Sequence, residues 1–234
     1  MTAVTHPRFA PRRGNAGGTW WSKAVLRAVE EAAFGVADLR KGRALARAGQ
    51  VGAIGVDAGT AVAAVTEGQD AWTVQVTLPV LDEPASATFV EVVAAQSGRI
   101  GALLAGQLPH DLVEAVEEAG VELLPYGGEL GSACTCDAWP DPCPHALAVL
   151  TQLVWLIQAD PFVLTHLRGL PRERVLRDLH ALTVPRSSAG GPAYSDMPED
   201  ADGEPDDLAV AQDAAERAAR VVDLLLAGRT PDDL

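Results

Sequence analysis

The feature that most constrains this chain is a set of four side chains inside one short stretch. Cys134, Cys136, Cys143 and His145 follow the spacing C-x-C-x6-C-x-H. They include every cysteine of a 234-residue chain, so no disulfide framework can hold the fold together. Two pairs, each with one residue between its members, are joined by a turn-rich loop carrying Pro140 and Pro142. Pro144 suits the first turn of a helix, where its missing N–H is not needed. Three soft thiolates and one imidazole in tetrahedral reach are the donors that zinc prefers, and four protein ligands leave no open position for a substrate. The pattern therefore predicts a structural Zn2+ site. Buried free cysteines are the alternative, but proline-studded, polar-flanked pairs make poor core filler. A redox-active C-x-C pair would want a nearby cation to lower a thiol pKa, and no Lys or Arg occurs between Arg99 and Arg168.

Around this cluster the apolar pattern predicts an α+β protein: a three-stranded antiparallel meander with flanking helices and an inserted Cys3His zinc finger. Thr19 reads as the N-cap of a helix to about Phe34, followed by a helix over 36–48 that ends at Gly49. The period then changes to β-rich runs at 51–56, 61–66 and 71–80, separated by Asp-Ala-Gly and Glu-Gly-Gln-Asp turns. Helical signals return at 87–96, 100–105 and 111–119, then at 144–158, 162–168 and 172–182. By composition, residues 1–18 are expected to be a disordered basic head. A globular domain follows over 19–183, with the finger at 132–158. An acidic linker is expected over 184–206 and a last helix over 207–228.

Charge is unevenly spread. The net charge is −14, yet residues 1–50 hold nine Lys/Arg against three Asp/Glu, while residues 51–133 hold one against twelve. Such a balance argues against a protein that coats nucleic acid non-specifically. Two groups of cations remain candidates for nucleic-acid contact: Arg40, Lys41, Arg43 and Arg47, and, after the finger, Arg172, Arg174 and Arg177. No apolar run approaches a membrane span, and the arginines of the head precede no apolar segment, so a cytoplasmic protein without membrane contact is expected. His110, His166 and His180 have no Cys or carboxylate at metal-ligand spacing, so each is expected to be a surface or satisfied histidine. Trp20 and Trp21 are expected to pack into the core.

At its four ligands the chain resembles the SWIM zinc-finger family, whose pattern is C-x-C, a variable spacer, and C-x-H opening a helix. Trp20-Trp21, the Gly42–Gly49 segment and Asp160-Pro161-Phe162 resemble free-standing bacterial SWIM proteins of actinobacterial type. Pro144 stands where the family often has a basic residue. The resemblance implies zinc binding and a non-catalytic role, first as an adaptor for a helicase-type, nucleic-acid-processing ATPase and second as a direct DNA binder. A third reading comes from Ile54-Gly-Val-Asp57-Ala-Gly59-Thr60, which resembles the first phosphate loop of the actin-like ATPase and sugar-kinase fold. That fold needs a second glycine-rich phosphate loop, and none precedes the finger. No other nucleotide-binding or hydrolase motif occurs, so no catalytic residue is expected.

Overall fold

The computed structural model describes residues 3–12 and 18–183; the expected linker and last helix at 184–228 lie outside them. Its elements are β1 (Val4–His6), α1 (Trp20–Ala32), α2 (Val36–Arg47), β2 (Val51–Asp57), β3 (Thr60–Glu67), β4 (Asp70–Thr77), α3 (Glu83–Ala94), α4 (Ser97–Leu104), α5 (His110–Glu118), β5 (Gly131–Cys134), α6 (Pro144–Ala159), α7 (Phe162–Leu167) and α8 (Arg172–Thr183). Thr19 caps α1 by accepting from the Ser22 amide at 3.3 Å, and Asp82 caps α3 through the Ala85 amide at 2.9 Å.

The sheet has five strands, not three, in the order β1-β2-β3-β4-β5, with each neighbouring pair antiparallel. The expected meander is its centre. Both added strands are edges too short to carry a period-two signal. β5 is the Gly-Ser-Ala-Cys run that leads into the finger, and its register places Cys134 opposite Val74 and Gly131 opposite Thr77. β1 corrects the expectation of a disordered head: Val4 pairs with Val56 and His6 with Ile54. Beyond it the Arg8 Nε donates to the Gly49 carbonyl at 2.7 Å, Phe9 meets Trp155 edge-on at 5.5 Å, and the Arg12 amide donates to the Arg47 carbonyl at 2.9 Å. Composition describes what a segment would do alone; here the open edge of β2 and the end of α2 supply the partners.

One sheet face lines the core. Along β3, Ala61, Ala63 and Val65 are buried, while Val62, Ala64 and Thr66 face outward. Helix α6 is the centre of the molecule, with 13 of its 16 residues buried. It is apolar all round because β2, β3 and β4 cover one side and α1, α2 and α7 the others. α2 approaches closest at Gly42, where an added Cβ would lie 2.6 Å from the Leu147 Cβ and 2.9 Å from the Pro144 carbonyl. Helices α3 to α5 are inserted between β4 and β5, and Phe89, Val93, Leu103, Leu112 and Val116 extend the same core.

Candidate metal centre

Two elements deliver the four ligands. The end of β5 brings Cys134 to the sheet edge. The chain returns to β4 at Thr135, whose amide donates to the Thr73 carbonyl at 3.1 Å and whose Oγ1 accepts from the Thr73 amide at 3.0 Å. That clamp sets Cys136 beside the first ligand. The loop that follows is tied back by a Ser132–Asp141 hydrogen bond. Cys143 is then the N-cap of α6, with its sulfur 3.5 Å from the Ala146 amide, and Pro144 opens the helix so that His145 points at the cysteines.

The sulfurs of Cys134, Cys136 and Cys143 and a ring nitrogen of His145 lie within 4.8 Å of one another. The Cys134 Sγ stands 3.8 Å from the His145 Nδ1. A tetrahedron built on metal–sulfur bonds of about 2.3 Å has edges of ~3.8 Å; the Cys134–His145 pair stands at that spacing and the other pairs lie within 4.8 Å. All three cysteines are free thiols. Their acidities show what the site needs. Burial pushes the Cys134 thiol up to about 12 and raises Cys143 as well. Burial also opposes ionisation of Cys136, but the Ala138 amide, His145 and the two other sulfurs outweigh it and draw that thiol down to about 7. Left to itself, the set favours one negative charge. A dication is what lets three thiolates coexist.

The imidazole is held from behind. His145 Nε2 lies 3.0 Å from the Glu67 Oε2, so the proton belongs on Nε2 and the Nδ1 lone pair is left for the metal. Lys41 Nζ lies 2.9 Å from the other Glu67 oxygen. This hydrogen bond is the largest influence on the Glu67 carboxyl; partial burial opposes it and His145 adds to it, and together they hold the group below its ordinary range. Trp72 covers the ring at a centroid distance of 5.7 Å. Sequence spacing could not find Glu67, Lys41 or Trp72, because they come from α2 and the β3–β4 hairpin, 73 to 104 positions before His145 in the chain.

The candidate nucleic-acid residues are placed as follows. Lys41 is engaged by Glu67, Arg43 pairs with Glu30, and Arg47 Nε donates to the Arg43 carbonyl at 3.2 Å. After the finger, Arg174 bonds Glu83 at 2.7 Å and Asp178 at 3.4 Å, Arg177 meets Asp178 at 3.4 Å, and Arg172 lies over the Phe162 ring at 5.2 Å. Among the seven, Arg40 alone has a side chain with neither an ion pair nor a ring contact nor a hydrogen bond within the described residues. The Asp57–Thr60 segment is a two-residue hairpin turn with Gly59 at φ +74°. Its amides are occupied: Ala58 donates to the Asp57 carboxylate at 2.8 Å and Gly59 to the Leu167 carbonyl at 2.8 Å. Trp21 is buried, and its Nε1 donates to the Ile157 carbonyl at 3.1 Å, while Trp20 reaches the Leu108 carbonyl at 3.0 Å. His110 pairs with Glu114 at 3.2 Å. His166 is buried 3.9 Å from Asp57, with its Nε2 unbonded. No helix among the described residues is long and apolar enough to cross a membrane.

Comparison with known proteins places one relative beside this chain. An uncharacterized protein of Mycobacterium tuberculosis (strain ATCC 25618 / H37Rv), Rv2102, is 31% identical over 184 residues, which cover 77% of this chain. The chain spans about 65% of that relative's length. No family model matches the sequence, and no solved structure matches the fold.

Proposed function

We propose that this chain is a SWIM-type zinc protein that acts by binding rather than by catalysis, as an adaptor for a nucleic-acid-processing ATPase. The observation that carries the reading is the closed ligand set: Cys134, Cys136, Cys143 and His145 within 4.8 Å, with His145 oriented by Glu67. Zn2+ bound there would supply a structural cross-link between the sheet edge and the central helix, with all four positions filled by protein. The SWIM resemblance rests on the ligand spacing and its flanks. Membership of that family, and the ATPase partner it implies, belong to this proposal.

The placement of the arginines favours the adaptor over direct DNA binding. Four of the seven candidate cations are paired with carboxylates, and a cation already neutralised contributes little to counterion release. The occupied amides of the Asp57–Thr60 turn support reading it as a turn rather than a phosphate cradle. Purification of the tagged full chain tests the choice. An adaptor keeps a protein partner through nuclease treatment and raised salt, and loses it when zinc is chelated. A partner lost on nuclease treatment alone, or nanomolar affinity for duplex DNA at physiological salt, would make the chain a DNA-binding protein instead.

A further inference from the structure

We propose that the groove between α1, α2 and α6 docks an acidic amphipathic helix of a partner protein. This inference rests on the binding reading above and names the surface and the partner chemistry. The groove encloses about 660 Å³. Its floor is apolar: Leu26 from α1, Val36 and Leu39 from α2, and Val154 and Trp155 from α6. Val36 is 71% exposed, and Leu26, Leu39 and Trp155 are half-buried. Apolar side chains from all three helices are thus presented to the groove. Along α2 the lining runs from Val36 to Arg47, ~16 Å at 1.5 Å per residue, which is room for about three helical turns.

The rim is cationic. Among the described residues, Arg12, Lys23, Arg40, Arg43 and Arg47 line it, against one carboxylate, that of Glu30, which Arg43 already engages. Lys23, Arg40 and Arg47 have no carboxylate partner among the described residues. In a chain of net charge −14 this is a local reversal of sign, and charge complementarity selects an anionic occupant. The floor decides between a peptide and a nucleic acid. Bases are held by stacking on open aromatic faces, and among the described lining residues the one aromatic ring is already engaged: the Arg12 guanidinium lies 4.8 Å over Trp155, and Phe9 meets it edge-on. Aliphatic knobs at i, i+3, i+4 and i+7 suit what remains, with acidic residues beside them reaching the rim.

The probe is a fluorescent synthetic helix of about fifteen residues, leucines at i, i+3, i+4 and i+7 and glutamates elsewhere, titrated into the zinc-loaded 234-residue chain. A scrambled isomer and a single-stranded oligothymidylate run beside it. Saturable binding of the helix, with the isomer weaker by at least about tenfold, is expected. The Arg40→Glu/Arg47→Glu double variant should lose about tenfold or more, while Arg172→Glu, outside the groove, should bind as the wild type does. Lys23→Glu on the opposite wall is the independent variant should the double variant misfold. Equal binding of the scrambled isomer, oligothymidylate binding that is tighter and lost in the same variants, or no saturable binding would each overturn the proposal. Zinc content of the same samples separates the two claims: no binding by zinc-loaded protein removes the groove and leaves the metal reading standing, whereas binding by protein that never takes up zinc does the reverse.

Discussion

At the residue scale, the orientation of one imidazole decides whether the cysteine cluster closes. His145 sits on the first turn of α6 and could present either ring nitrogen to the sulfurs; the Glu67 carboxylate settles the choice by accepting from Nε2. Such outer partners typically change metal affinity by about 10–100-fold. Glu67→Ala should therefore weaken zinc by about that factor in a competitive chelator titration, with the fold intact by circular dichroism. An unchanged affinity would mean that packing by Trp72 orients the ring without help. A second residue-scale test concerns Arg168, 2% exposed, whose guanidinium bonds the Leu123 and Pro79 carbonyls at 3.1 and 3.0 Å and Glu129 at 2.8 Å. Removing one partner of a buried pair strands the other, so Glu129→Ala should cost about 3–5 kcal/mol in denaturant unfolding. The ligands themselves are legible in the sequence because their spacing is local. The outer partners and the buried Arg168 are not: an arginine four positions from Arg172 looks like part of a solvated cationic helix until the turn after α7 is seen to point it inward.

At the scale of elements, the sites most informative about the fold are the crossings that local patterns cannot encode. α2 lies against the start of α6 at Gly42, with no room for a Cβ. Gly42→Ala should destabilise by about 1–3 kcal/mol through overpacking, even though alanine is the better helix former; a melting temperature equal to or above the wild type would show that the two helices can separate. The edge strands pose the same problem of context. The three central strands announce themselves through β-branched, Val-rich runs between glycine-containing turns, whereas β1 and β5 are strands only because β2 and β4 offer open edges. β1 also carries a pH dependence. Burial depresses the His6 pKa, with Asp160 opposing and His166 reinforcing the shift. The folded chain thus prefers neutral His6, and the stability it contributes is complete above about 6.5 and lost as pH falls through the lower folded value. Amide protection at residues 4–6, taken relative to the intrinsic exchange rate at each pH, should fall from neutral pH to about 5 more than at β3, and His6→Asn should flatten the difference; an equal fall at β3 would locate the acid sensitivity elsewhere.

Across the described residues, the Cys3His cluster is placed where a bound metal would tie together parts that a sheet and a helix bundle otherwise join only by packing. β5 reaches the site from the sheet edge, α6 leaves it through the core, and Glu67 and Lys41 attach the β3–β4 hairpin and α2 to its outer side. Because the four side chains converge only in the folded chain, a metal bound there would contribute directly to folding free energy. Chelation should lower the melting temperature and loosen 121–160 most, with the β2–β3–β4 centre affected least. The most direct measurement is the metal content of protein purified without added metal, read together with thiol titration and with the Cys136→Ser and His145→Ala variants. A structural zinc site at these four side chains predicts about one zinc per chain, three thiols that react only after chelation, and loss of the metal in both variants. Protein that carries no zinc and takes none up, with Cys134, Cys136 and Cys143 all freely titratable in the folded state, would contradict it.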